Sequence, residues 1–292
     1  MMMEMELERV DCPVCGPSQT RVWLDDGKPT RYLRCLGCGT VFASPRASYA
    51  QRYAWLDETF SITDYIFSLA DSRLPALEYE ACLIRNAKNT GRILDIGCSI
   101  GTFLNLFPRS SWEQFGVELS PSAADYAHQT HGFQVHAGTL SSADYPDNFF
   151  DTVTLIDTLF YIDNPLVEFQ EINRIIAPGG LLAIEIPGQA YILKRNYGLI
   201  SWLLDRRWSR ASTDSSYLFW FTPWGLERLL QKTGFEPMEW HVIPSPRNTN
   251  WLINQVTRLH FEMASFFARH WFRSLTWSPK YFCLARRVGA AS

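Results

Sequence analysis

From residue 91 onward the chain alternates between two patterns. Short, largely apolar runs, several ending at a glycine or an acid, alternate with stretches whose apolar residues fall three and four positions apart. The first pattern reads as a strand buried on both faces, the second as a helix with one face on a core. Runs at about 92–96, 115–118, 133–137, 151–156, 181–186, 237–243 and 280–286 are the predicted strands. Ser120-Pro121 starts a helix with a hydroxyl cap and proline at its first position, running to about Thr130, and Thr222-Pro223 starts another, running to Lys232. A third is predicted over Pro165–Ile176, stopped by Pro178-Gly179-Gly180, and a fourth from about Thr102. Upstream, Leu74, Leu77, Ala81 and Ile84 form the apolar face of a helix over about 72–87. Strands and helices alternating this regularly predict a parallel, doubly wound α/β sheet.

The chemistry gathers where the first of these strands ends. In Leu94-Asp95-Ile96-Gly97-Cys98-Ser99-Ile100-Gly101 the glycines let the backbone approach a ligand closely, and a helix from Thr102 would aim its positive end there. Asp95 sets a carboxylate beside those amides, which suits a ligand bearing an ammonium group better than one bearing a pyrophosphate. The next run, Phe115-Gly116-Val117-Glu118, ends in an acid spaced to receive two ribose hydroxyls.

Together with Phe149-Phe150-Asp151, Ala177-Pro178-Gly179-Gly180 and Thr233-Gly234-Phe235, these segments resemble class I S-adenosylmethionine (SAM) dependent methyltransferases of the type 11/23 kind, over roughly residues 90–290. The resemblance implies a Rossmann-like, doubly wound, seven-stranded sheet whose last strand runs antiparallel. It implies that Gly97, Cys98, Ser99 and Gly101 line the methionine and sulfonium end of SAM, with S-adenosylhomocysteine as product. Asp95 then lies near the amino group, directly or through water, Glu118 lies on the ribose with Leu119 beside it, and Thr139 and Leu140 line the adenine. Ser99 stands where the family usually has a glycine, and Cys98 reads as a small packed residue. NAD binding is a weaker reading of the same loop, disfavoured by Asp95 and by the Pro178-Gly179-Gly180 element. His128, His131 and His136 fall at a helix end and in a strand, which favours solvated or capping roles over a metal cluster.

The N-terminal third has another character. Cys12-Pro13-Val14-Cys15-Gly16 and Cys35-Leu36-Gly37-Cys38-Gly39 are two C-x-x-C-G knuckles, and four thiolates at such spacing close a tetrahedral site for structural Zn2+. They resemble a zinc ribbon, with strands Thr20–Leu24 and Thr30–Cys35 joined by the Asp25-Asp26-Gly27-Lys28 turn. The division expected is a ribbon over 1–45, a helical lid or linker over 46–90 and the catalytic domain over 91–292, with insertions at about 190–216 and 244–275. Tyr65, Arg73 and Tyr79 are candidates for the lid.

Seven cysteines in a chain of 292 residues fit metal and packing in a reducing, cytoplasmic setting better than disulfides. The formal charge of -3 advertises no field for nucleic acid, and no apolar run approaches a membrane span. The stretch after the fourth strand, Asp157 to Pro165, occupies the end of the sheet where α/β enzymes place chemistry. Asp157 is the acid best placed to contact SAM or an acceptor. Phe160-Tyr161 stand where the most similar methyltransferases carry Glu-His, and Tyr217 stands at another usual histidine, so a histidine base is absent and tyrosines could orient a hydroxyl. An aromatic helix is predicted over Asn248–Phe272, open to three roles: a pocket wall, a homodimer interface, or a surface against a lipid-linked acceptor. The reading is methyl transfer from SAM to a small acceptor at oxygen, such as a sugar, a phenol or quinone, or a lipid-linked glycan. An RNA methyltransferase gripping its substrate with the ribbon and a non-catalytic SAM-binding scaffold are the alternatives.

Overall fold

The computed structural model describes residues 6–24, 30–53, 73–188, 217–243, 259, 262–263 and 280–289. The Asp25–Lys28 turn, Tyr65 and the rest of the lid before Arg73, the 190–216 insertion and nearly all of the 248–272 helix lie outside them.

Strands β1 (Leu7–Glu8), β2 (Thr20–Leu24), β3 (Tyr32–Cys35), β4 (Val41–Ala43) and β5 (Arg46–Ala47) and helix α1 (Tyr49–Tyr53) come first, then α2 (Leu74–Ala87). The main sheet takes β6 (Gly91–Ile96), β7 (Trp112–Glu118), β8 (Gln134–Ala137), β9 (Phe150–Leu155), β10 (Ile176–Pro187), β12 (Phe235–Val242) and β13 (Lys280–Arg287). Its order is β12-β13-β10-β9-β6-β7-β8, with β13 antiparallel to both neighbours and β6 to β10 parallel. Helices α3 (Pro121–His131), α4 (Pro165–Ile175) and α5 (Pro223–Lys232) complete the chain, with the short strand β11 (Phe219–Trp220) before the last. Ile93, Leu94, Val153, Leu155, Leu182 and Ile184 are fully buried. Each contributes roughly 1.5–3 kcal/mol on leaving water, which is why the strands could be read as unbroken apolar runs.

The predicted caps are in place. The Ser120 hydroxyl accepts from the Ala123 amide, and Thr222 from Gly225. Two expectations are corrected. The helix from Thr102 is only a 3-10 turn over Leu104–Leu106, because Pro108 cannot donate and holds Phe107 extended at φ -101, ψ 123. Pro178-Gly179-Gly180 does not stop a helix either. α4 passes directly into β10 at Ile176, and those residues form a bulge that interrupts pairing with β9 between Ile176 and Leu181.

The cysteine-bearing segment shares a sheet with a later part of the chain. Strands β2, β3 and β4 share one sheet with β11, which comes from the other end of the chain, in the order β11-β4-β3-β2. Helix α5 docks on the knuckles: Thr222 Oγ1 donates to the Cys38 carbonyl (2.9 Å), Arg228 to that of Gly37 (2.9 Å) and Lys232 to that of Val14 (2.6 Å). A Cβ on Gly225 would lie 2.3 Å from Thr40 Oγ1 and 3.4 Å from the Cys38 carbonyl oxygen. Gly225→Ala is therefore expected to force helix and knuckle apart and lower stability by about 1–3 kcal/mol in urea unfolding, with an unchanged midpoint refuting the close docking.

Candidate functional site

The carboxyl ends of β6, β7 and β9 meet around the loop 97–101. Gly97 has φ +76, and a Cβ there would lie 2.4 Å from the Thr158 hydroxyl, so only glycine lets the loops after β6 and β9 touch. Ser99 also takes a positive φ, of 49°, an uncommon conformation for a side-chain-bearing residue at a functional turn. Four of the loop's amides are spent inside the protein. Gly97 and Cys98 donate to the Val117 carbonyl (2.7 and 3.1 Å), Gly101 to Cys98 (2.9 Å), and Ser99 to the Glu118 carboxylate (2.9 Å). With those amides committed and no full helix behind them, the loop lacks what a pyrophosphate needs.

Glu118 is the clasp of this site. One carboxylate oxygen takes the Ser99 amide and the other the Ser120 amide, each at 2.9 Å, so the acid ties the turn after β6 to the cap of α3. Burial pushes its carboxyl upward, against the amides of Ser120, Ser99 and Leu119, which favour the ionised form. Asp95 lies deeper, 3 % exposed, and accepts at 2.6 Å from Thr154 Oγ1 on β9. Burial raises it to about 7; the Thr154 hydroxyl opposes that and the Glu118 charge adds to it. Cys98 is buried, and burial raises its thiol well above the ordinary value, so it stays protonated and packed. The Ser99 hydroxyl is buried with no hydrogen-bond partner among the described residues. An orphaned hydroxyl beside an acidic clasp, in a loop with four of its amides committed, fits a cationic, ribose-bearing ligand such as SAM.

Leu119 is exposed, following the clasp. Thr139 Oγ1 accepts from the Ser142 amide (3.2 Å) and so caps the turn after β8, while Leu140 belongs to the core at 1 % exposure. None of the three histidines joins a metal group. His128 Nδ1 bonds the Phe133 carbonyl, His131 stacks on Phe133, and His136 bonds Ser142.

Just past β9, Asp157 takes φ +56. Lys280 holds both its oxygens, one at 2.5 Å, and Arg73 approaches it at 3.1 Å. Burial works against its charge, but Lys280 and Arg73 outweigh that and keep the carboxyl below the usual range. Arg73 and Lys280 also reach Glu185, the latter at 2.9 Å, and Arg73 lies 3.5 Å from Glu80. Burial, and then the nearby Glu185, lift Glu80 well above the ordinary carboxyl range. Tyr161 and Tyr217, far apart in sequence, stack at 5.6 Å with Phe160 edge-on to Tyr217 at 4.4 Å.

Four of these side chains, Glu80, Thr154, Glu185 and Lys280, were not singled out in the sequence. Glu185 could have been: it is the one charge in an otherwise apolar strand. Glu80 falls between Leu77 and Ile84 on the buried stripe of α2, another anomaly visible in the pattern.

The four knuckle cysteines converge, with their sulfurs all within 4.8 Å of one another and Cys12 and Cys38 at 3.6 Å. Amides of Cys15 and Gly37 point at the sulfurs of Cys12 and Cys35 (3.4 and 3.3 Å). Four sulfurs this close, with amides turned to them, can hold one tetrahedral metal ion.

Residues 69–239, more than half of the chain, match the family described as a methyltransferase domain. An uncharacterized methyltransferase of Schizosaccharomyces pombe is 30% identical over 34% of this chain and 40% of its own length. O-methyltransferase resE of Aspergillus sclerotiorum is 32% identical over 32% of this chain and 38% of its own. The chain thus spans less than half the length of either relative. A SAM-dependent methyltransferase structure from Thermotoga maritima, 18% identical, superposes with a TM-score of 0.52 over 82% of this chain and 100% of that one, a likeness of fold. Among the described residues no helix is long and apolar enough to cross a membrane. The chain belongs to the methyltransferase-domain family, and it has the family's class I, Rossmann-like sheet.

Proposed function

We propose that this protein transfers a methyl group from SAM to the oxygen of a small-molecule acceptor. The observation that carries the reading is the Glu118 clasp, which ties the strained turn at Ser99 to the cap of α3 with both carboxylate oxygens. SAM supplies the electrophile, a sulfonium methyl, so the protein's task is largely to hold two partners in line. Glu118 would keep its amide bonds and receive ribose hydroxyls with its remaining lone pairs, with Leu119 beside it. Gly97, Cys98, Ser99 and Gly101 would line the methionine and sulfonium end, with the Ser99 hydroxyl free to donate there. Asp95 would balance the amino group, ionising as that positive charge arrives. Thr139 and Leu140 would flank the adenine. On the acceptor side, Tyr161 and Tyr217 offer a stacked aromatic wall with two hydroxyls, and Asp157, held ionised, offers an acceptor for a substrate hydroxyl.

Oxygen as the receiving atom rests on the name of the Aspergillus sclerotiorum relative. The knuckle cysteines would bind one structural Zn2+, closed to catalysis because all four positions are taken by protein.

Calorimetric titration of S-adenosylhomocysteine into the purified protein tests the donor site. Wild type is expected to bind in the micromolar range. Glu118→Ala is expected to lose roughly 1–3 kcal/mol, because the ribose contact and the clasp disappear together. An absence of binding by folded, metal-loaded wild type would overturn the reading.

A further inference from the structure

Segment 157–163 carries Asp157 and Tyr161, and it is held from the cysteine-bearing side by a set of contacts that methyl transfer alone does not require. The Arg46 side chain on β5 is 7% exposed. Its Nε donates to Glu8 at 2.7 Å, its Nη2 donates to the Asp163 carbonyl at 3.3 Å and lies 3.3 Å from the Asp163 carboxylate, and its guanidinium lies 5.8 Å from the Phe219 ring centroid. One side chain thus touches β1, the end of the acceptor segment and β11. Arg52 on α1 makes a second ion pair to Asp163. Beside this hub, the Ala43 amide of β4 donates to the Leu218 carbonyl, and the Leu218 amide donates to Phe160, both at 2.9 Å. Residue 218 is therefore a backbone bridge between the sheet of the knuckles and the acceptor segment. Tyr217 stacks on Tyr161 next to that bridge.

We infer that the Cys12–Cys15–Cys35–Cys38 ribbon is a positioning element for segment 157–163, with Arg46 as its positioning residue. This rests on the proposed methyl transfer only in assigning that segment to the acceptor. The physical argument is cooperative. β4 begins three residues after Cys38 and pairs with β3, which ends at Cys35, so a metal holding the cysteines fixes the edge on which β11 and residue 218 are laid. A guanidinium this buried is costly without partners, so Arg46 favours the arrangement in which Asp163 reaches it. A ribbon used to grip nucleic acid would need no such commitment to the catalytic half.

The test is hydrogen exchange on the full chain, metal-loaded, with Arg46→Gln, Asp163→Asn and the charge-conserving Arg46→Lys compared with wild type. The expected result is at least a tenfold loss of protection at the Tyr161 and Leu218 amides in Arg46→Gln and Asp163→Asn, with partial recovery in Arg46→Lys. Removing the metal with a chelator is expected to give the same local loss. Protection of amides in β6, β7 and β9, and the affinity for S-adenosylhomocysteine, should stay within about twofold of wild type, because the proposed donor residues lie on the turns after β6, β7 and β8 and none of them bonds Arg46 or Asp163. Unchanged protection at Tyr161 and Leu218, or a loss spread evenly over the main sheet, overturns the inference. Failure of wild type to bind S-adenosylhomocysteine would instead count against the methyl-transfer reading and leave the exchange pattern standing.

Discussion

Replacing Arg73 with methionine is expected to cost about 3–5 kcal/mol of stability at pH 8 and much less at pH 5. The guanidinium is the link between two carboxylates that are almost without solvent, Glu80 at 0 % and Glu185 at 1 % exposure. Glu185 would keep Lys280, whereas Glu80 would have no cation in contact among the described residues. Breaking a buried pair from one side leaves an uncompensated charge, and this dominates over the lost contacts of the arginine stem. The sign of the pH dependence follows from linkage. Glu80 already sits well above its ordinary 4.5, burial being the main cause and Arg73 one of the groups opposing it. Without Arg73 it rises further. Wild type loses stability equally up to its own folded value, so the variant's deficit grows only as pH climbs from that value towards the variant's higher one, and it is small where Glu80 is protonated in both folded proteins. Urea unfolding at the two pH values measures it. Equal deficits at both would mean that Arg73 acts through packing, and no deficit would mean that the cluster is already solvated.

How far this arrangement could be read in advance differs sharply between its parts. The central strands β6, β9 and β10 were visible because each is buried on both faces along most of its length and is written as a largely apolar run. Glu118 was visible because it ends such a run, whereas its bonds to the Ser99 and Ser120 amides were not. What the pattern misjudged is local: Pro108 was there to be read, but the apolar residues from Phe103 to Phe107 look helical until the proline's effect on its predecessor is counted. The commitment of the loop amides was hidden for another reason, since it depends on the Val117 carbonyl of a neighbouring strand. β11 is a third case. Phe219-Trp220 is too short to show alternation, and only pairing with Val41 and Phe42, nearly two hundred residues away, makes it a strand. The ion cluster combines Arg73 and Glu80, from the cap and body of α2, with Asp157, Glu185 and Lys280 from three other places in the chain, and no spacing rule relates those three to α2. Glu80 and Glu185 were detectable as charges in apolar surroundings; which cations would answer them was not.

Asp95→Asn should expose the conflict between folding and donor binding at the centre of the site. Asp95 is raised to about 7 chiefly by burial, so at pH 8 the folded protein carries a charge that the unfolded chain would ionise far more readily. Against the ordinary value of 3.8, that difference corresponds to roughly 3–5 kcal/mol of lost stability above the folded value, fading as pH falls towards the unfolded one. Asparagine removes the charge and can still accept the Thr154 hydroxyl through its carbonyl oxygen. Its amide brings two buried donors in return, and an unsatisfied one costs about 1–3 kcal/mol. The balance is a gain of about 1–3 kcal/mol at pH 8 that vanishes or reverses near pH 5, read from unfolding midpoints at both. The same variant should bind SAM at least about tenfold more weakly at pH 8, since it can no longer balance the amino group. A variant that is less stable at every pH would show that Asp95 is ionised and well solvated in the folded protein. One that is more stable yet binds SAM undiminished would move the amino group away from Asp95. Stability gained and affinity lost together would identify Asp95 as a charge kept for the ligand, at the expense of the fold that carries it.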